Sequence, residues 1–257
     1  MESQAKAWIA ALRGSQQRLA SMVAELSGEQ LRGPSYDTGW TVAHVLSHIG
    51  SQAEIAQHLL AALLAGKPVP GPETFQPIWD VWDARSPDEQ AAQCLLTDAE
   101  HVRQLEQLTG EQLAGIHFQF FGMDFDAVGM VWLRLGEHAV HSWDIAVSFD
   151  DKAEVAQQAV ELLVNTLPRV ASRGTPAGVP FQAGFITSAP EREFVLEVSD
   201  TVMMETAPVA DTPTIALPAE ALLRLVYGRL DPKHTPAIDA VSGQVDLDLV
   251  RRVFPGF

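Results

Sequence analysis

The chain has 257 residues, with 17 Lys and Arg against 33 Asp and Glu, giving a formal net charge of −16 at pH 7. That length suits two domains or one large one, and a composition of 47% hydrophobic and 19% charged residues excludes a disordered chain. The acidity excludes nucleic acid or an anionic membrane as the main partner, since both select for Lys/Arg clusters, and the single cysteine, Cys94, excludes an internal disulfide or a multi-cysteine metal site.

In chain order, residues 2–27 place Trp8, Ile9, Leu12, Leu19, Met22, Val23 and Leu26 at the spacing of an amphipathic helix. The same N-terminal stretch has no basic region ahead of a long apolar run, so no secretory signal is expected. No apolar stretch reaches the ~18 residues of a membrane span, so a cytoplasmic protein is expected. After the loop LRGPSYDTG, a second helix opens near Thr38–Thr41 and runs to about Ala65. Gly66, Pro68, Pro70, Gly71, Pro72 and Pro77 then forbid regular helix for a dozen residues. A third helix starts at Ser86-Pro87-Asp88-Glu89, which reads as a capping box with proline in the first turn, and ends near Thr109–Gly110. A fourth helix, the most apolar, covers about Asp124 to Phe149, and a fifth about Lys152 to Ala171.

Four long helices with a fifth appended form a bundle pattern over residues 1–171. Residues 172–180, SRGTPAGVP, read as a linker. Beyond it, residues 181–257 carry short alternating runs at Gly184–Ser188, Glu193–Val198, Val202–Glu205 and Pro213–Leu217, which predict strands. Helices are predicted over Pro218–Tyr227 and Asp246–Val253. The expected fold class is therefore α+β in two domains, a four-helix bundle followed by a small α+β domain. Most of the acidity lies before residue 172.

The chemistry-bearing residues concentrate on two helices. Between Ala127 and Phe149, the charged or imidazole side chains are Arg134, Glu137, His138, His141 and Asp144, whose offsets follow one helical face. Glu137 and His141 are i, i+4 neighbours, close enough to share one cation. By itself the stripe also fits the solvent face of an amphipathic helix. On helix two, His44 and His48 form a second i, i+4 pair, with Ser51 and Gln52 continuing that face. Two His-bearing helices in one bundle suggest a shared site of histidine and carboxylate, suited to Zn²⁺ or another divalent transition ion. Cys94, at mid-helix among apolar residues, reads as an inert small hydrophobe. The chain lacks a Gly-rich phosphate loop, a GxSxG elbow and an HExxH motif, which removes nucleotide-binding, serine-hydrolase and zincin readings.

Trp40-Thr41-Val42 opening helix two with His48 after it, and the Glu-x-x-x-His of RLGEHAVHSWDIA, follow a family pattern. The Pro-broken connection after helix two and the C-terminal helix PAEALLRLVYGRL fit the same layout. Together these features resemble the mycothiol-dependent maleylpyruvate isomerase family, DinB-like four-helix metalloproteins with a sterol-carrier-like second domain. The resemblance implies a metal held by His48, Glu137 and His141 with one position open. It implies that this metal holds the thiol of mycothiol as thiolate, which adds to a small electrophile. In the isomerase, addition across a cis double bond, rotation and elimination return the trans product; in sister enzymes the thiol is transferred to the substrate. His44 is a candidate for the cofactor pocket, and Asp144, three residues after His141, for holding an imidazole in the required tautomer. Arg134 is expected to pair with Glu137 or Asp144, and His138 has no assigned role. The family expectation of a C-terminal-domain arginine for an acidic substrate falls on Arg229 rather than Arg224. The alternatives are a thiol S-transferase for xenobiotics or natural-product tailoring, and a non-catalytic ligand-binding or stress-response protein. The expected assembly is a monomer or homodimer.

Overall fold

The apolar stripe of the first helix is buried as the spacing requires: Trp8, Ile9, Leu12, Leu19 and Val23 all lie inside on α1 (Glu2–Ala24). A short α2 (Gly28–Arg32) follows, started by a capping box between Ser27 and Gln30. In α3 (Val42–Leu64) the Thr41 hydroxyl accepts the His44 backbone N–H, so the helix begins where the sequence places it. The computed structural model describes residues 2–120 and 122–256, and contacts divide the chain into two units, Met1–Ala153 and Glu154–Phe257.

The Pro-rich stretch is not all loop. A 3-10 turn at Pro72–Thr74 leads into α4 (Gln76–Asp83), whose Trp82 is buried and donates its indole N–H to Glu54 at 2.7 Å. The Ser86/Glu89 capping box opens α5 (Pro87–Glu106), and a second one at Thr109/Gln112 opens α6 (Gly110–Gly115). A hairpin then precedes the last long helix: β1 (His117–Phe120) pairs antiparallel with β2 (Met123–Asp126), bringing Phe118 opposite Phe125. This corrects the expected start of the fourth helix near Asp124. Met123–Asp126 alternates in burial as a strand, and the Asp126 carboxylate caps α7 (Ala127–Ala146) by accepting the Gly129 N–H at 2.8 Å. Around the bundle, α1 packs on α5 and α7, and α3 packs on the same two helices. Each side chain that α7 turns inward thus meets one pair of neighbours or the other.

The second unit begins earlier than the composition suggests. The expected helix over 152–171 is α8 (Gln157–Leu163), a 3-10 turn and α9 (Leu167–Ala171); Pro168, which has no N–H to donate, sits in the first turn of α9. These pieces pack with the C-terminal unit rather than the bundle. The reason is their apolar side: Ala159, Val160, Leu163, Val164, Leu167 and Val170 are buried, and α8 contacts the later helix over 219–226. The strands are β3 (Phe181–Ser188), β4 (Arg192–Val198), β5 (Val202–Thr206) and β6 (Thr214–Pro218). They are followed by α10 (Ala219–Val226), β7 (Asp239–Ser242), which the sequence reading missed, and α11 (Leu247–Val253). The sheet order is β5-β4-β3-β6-β7, antiparallel except for the β3–β6 pair. The fold is α+β, with a helical N-terminal part and a sheet-containing C-terminal part. Among the described residues no helix is long and apolar enough to cross a membrane.

Candidate metal centre

α3 and α7 lie side by side and bring together His48, Glu137 and His141, each offering one ligand atom within 4.8 Å of the others. Glu137 Oε2 stands 3.2 Å from His48 Nε2 and 3.6 Å from His141 Nε2. The two imidazoles meet edge to face with ring centroids 4.7 Å apart. On its other side, His141 Nδ1 is 2.8 Å from Asp144 Oδ2 and 3.4 Å from Asp37 Oδ2. With Nδ1 engaged by those carboxylates, His141 turns Nε2 to the Glu137 side, the nitrogen that would be left for a metal. Asp37 reaches the site because its loop is tied to α7, with the Tyr36 N–H donating to the Asp144 carbonyl at 3.2 Å. Trp40 lies against the imidazoles of His44, His48 and His141, at centroid distances of 5.2, 5.4 and 6.3 Å.

The electrostatics favour a cation. Desolvation would raise the Glu137 carboxyl, although its side chain remains 47% exposed, but hydrogen bonds to His141 and His48, with their charge, hold it well below the usual carboxylate range. Burial would lower His141, yet Asp144, Asp37 and Glu137 together carry it well above the ordinary imidazole value. Three carboxylates around one buried imidazole form an excess of negative charge. Two imidazole nitrogens and one carboxylate facing a common point, with a carboxylate behind one imidazole, fit a divalent transition ion. Asp37, His141 and Asp144 form a second possible cation group through Nδ1 of the same histidine. The Nε2 side suits a transition ion better, because it offers a second nitrogen and leaves the short Asp144 contact in place.

His44 lies outside this set. Its Nε2 is 3.6 Å from Asp83 Oδ1, the side chain is half-exposed, and its ring stacks on Trp40. Arg229 belongs to the second unit, where it is buried and its Nη1 donates to the Tyr227 carbonyl at 3.1 Å.

The charged stripe of α7 splits in two, and this corrects the expected pairing of Arg134. At about 100° per residue, Glu137, His141 and Asp144 fall within roughly 60° of one another, whereas Arg134 and His138 point to a neighbouring sector. Arg134 Nη2 donates to Asp98 Oδ1 at 2.7 Å and to the Ile49 carbonyl at 3.0 Å. His138 Nε2 is 2.8 Å from Asp98 Oδ2, and its Nδ1 is 2.7 Å from Ser15 Oγ. Four of the five stripe residues are buried, so the stripe is not a solvent face. Sequence reading passed over both Asp98 and Asp37. Asp98 had a legible signal, since it interrupts the buried line Ala91, Cys94, Val102, Leu105 of α5. Asp37 had none, because loop residues carry no periodicity.

Burial next to Arg134 pushes the His101 imidazole down to about 3, against the opposing pull of Asp98. The folded protein therefore holds His101 neutral while the unfolded chain takes up a proton near pH ~6.5. A folded-state value below the unfolded one means stability is complete above about pH 6.5 and is lost as pH falls toward 3, by at most about 1.4 kcal/mol per pH unit. Thermal unfolding between pH 7 and pH 5 should show this decline, and His101→Leu should flatten it. An equal slope in both proteins would contradict the assignment.

Residues 12–146 match a family model described as the mycothiol maleylpyruvate isomerase N-terminal domain. The chain belongs to this family. The matched segment contains the whole of α3 and α7, and with them His48, Glu137 and His141. The crystal structure of the mycothiol-dependent maleylpyruvate isomerase superposes with a TM-score of 0.70 at 14% identity, covering 94% of this chain and 95% of that one. A histidine-to-alanine mutant of that enzyme gives the same values. At that identity the likeness is one of fold, and it extends beyond the family segment into the sheet-containing unit. A Geobacillus thermodenitrificans (strain NG80-2) protein named "Putative metal-dependent hydrolase" is 50% identical over 44 residues, 17% of this chain. The chain thus spans about a quarter of that relative's length, 25%.

Proposed function

We propose that the protein is a cytoplasmic metalloenzyme in which His48, Glu137 and His141 hold a divalent ion, zinc by the character of the donors. In this reading it uses mycothiol to isomerise a small electrophile or to transfer the thiol to it. The observation that carries the proposal is the convergence of His48 Nε2 and His141 Nε2 on Glu137 Oε2, within a family whose model bears the mycothiol isomerase description. A bound ion of this kind supplies positive charge that deprotonates a ligating thiol, whose free value near ~8.5 leaves it mostly protonated at neutral pH.

The chain's own residues then have definable tasks. Asp144 fixes the His141 ring and keeps the proton on Nδ1, with Asp37 behind it. Glu137 neutralises part of the ion's charge. Trp40 lays an apolar ring against the imidazoles and limits how they rotate. His44, half-exposed at the rim, is placed to hydrogen-bond a polar part of the arriving thiol cofactor. Arg229 is left out of this reading, since it is buried and engaged with a backbone carbonyl.

Mass spectrometry of the products separates the two chemistries. Zinc-loaded protein with mycothiol and a panel of electrophiles should return a product of unchanged mass for isomerisation, or one heavier by the thiol for transfer. No turnover beyond the metal-free protein on the whole panel would contradict the enzymatic reading and favour a ligand-binding protein.

A further inference from the structure

A cavity of about 390 Å³ is lined by α3 and α7, and every described residue around it belongs to the helical unit. Glu137 of the metal set lines it, and so does Gln52, one helical turn past His48. The lining positions then step away from the metal set on both helices. On α3 they pass from Gln52 through Ile55 and Ala56 to Leu59, and on α7 from Glu137 through Arg134 to Met130. Either path covers about 10 Å of helix axis at the ordinary rise per residue.

Polarity changes along that path. The polar side chains, Gln52, Glu137 and Arg134, stand within one turn of the metal-set end, whereas the later positions Ala56, Leu59 and Met130 are apolar. Four rings from outside these helices also line the cavity, Phe75 and Trp79 from 72–83 and Phe118 and Phe120 from the hairpin. They form one connected wall, with centroids 6.0 Å apart for Phe75–Trp79 and Phe75–Phe120 and 6.4 Å for Phe118–Phe120. The charge of Arg134 is already matched, since the side chain is 4% exposed and bound to Asp98 at 2.7 Å. A carboxylate entering this space would give up its hydration against rings and aliphatic chains, which is costly without a cation to replace it. A hydrocarbon group gains from the same transfer. The volume falls in the range of ordinary small-molecule pockets.

We propose that this cavity receives an uncharged hydrocarbon arm of the electrophile, aromatic or alkyl, with the reactive carbon left at the Gln52–Glu137 end. The reaction at that end rests on the metal-and-thiol reading above; the binding of the arm does not.

Calorimetry and methyl NMR on the full-length protein, zinc-free and zinc-loaded, test this with toluene, butylbenzene and maleate as probes. Butylbenzene should bind both forms saturably and at least about tenfold tighter than toluene, since each buried methylene is worth roughly fourfold. Intermolecular NOEs should join it to the methyl groups of Ile55 and Met130. Maleate should not displace it from the zinc-free form. Ala56→Phe, which narrows the space midway along the α3 wall, should weaken butylbenzene by about tenfold or more, the equivalent of roughly two methylenes kept out. If that variant fails to fold, the NOEs in the parent decide. Equal affinity for toluene and butylbenzene, displacement by maleate, NOEs only to methyl groups elsewhere, or unchanged affinity in folded Ala56→Phe overturns the proposal. Failure to bind zinc with butylbenzene affinity intact overturns only the metal reading.

Discussion

Asp98→Ala is expected to lower the unfolding free energy by about 3–5 kcal/mol, the cost of leaving a buried charge without its partner. Asp98 has no exposed surface, Arg134 is 4% exposed, and His138 is fully buried against the other carboxylate oxygen. Burial would raise the Asp98 carboxyl, but His138 and Arg134 together hold it below the ordinary range, so the group is ionised throughout the neutral region. Truncation leaves the guanidinium of Arg134 with the Ile49 carbonyl and two nitrogens that already lack partners. A surface pair offers the contrast. Arg32 and Asp88 meet at 2.6 Å, but both side chains are more than half exposed, and Asp88→Ala should change stability by less than about 1 kcal/mol. Denaturant unfolding of both variants checks the pair of expectations, and a loss below about 1 kcal/mol for Asp98→Ala would contradict the account of this cluster.

Asp144→Asn is expected to weaken zinc binding by about 10–100-fold while leaving the fold intact. The amide is nearly isosteric, and the Tyr36 N–H donates to the Asp144 backbone carbonyl, which the substitution retains. What changes is the partner of His141 Nδ1. An amide can present either an oxygen or an NH₂ there, so the ring is no longer fixed with its proton on Nδ1. Competitive zinc titration measures the effect, and a loss of less than about threefold would show that Asp144 does not orient the ligand.

The sequence was most informative where a regular period carries the signal. The apolar stripes of α1, α3, α5 and α7, the capping box at Ser86 and the N-cap at Thr41 put the bundle helices within a few residues of their observed places. The same spacing brings Glu137 and His141 to one face, and the structure brings His48 to meet them. Breaker residues mislead in the other direction. Pro72 and Pro77 rule out a long helix but permit a 3-10 turn and the two-turn α4, whose Trp82 is buried in the bundle core. The hairpin before α7 is only four residues a side, too short for a period-2 pattern to stand out beside twenty helical residues. The stripe on α7 shows a different limit. Offsets along one helix give direction but not the neighbours in that direction, so Arg134 and Glu137 look like partners in sequence and belong to different clusters in space. The unit boundary moved for the same reason, since the apolar side of residues 154–171 is legible but its destination is not.

The most direct measurement is zinc titration of the parent, His48→Ala and His141→Ala proteins, with X-ray absorption at the zinc edge before and after adding mycothiol. The account predicts tight binding by the parent through two imidazoles and a carboxylate, a zinc–sulfur distance of about 2.3 Å once mycothiol is present, and loss of that binding in both variants. Parent-like zinc affinity in the variants, or no sulfur entering the parent site, would contradict it.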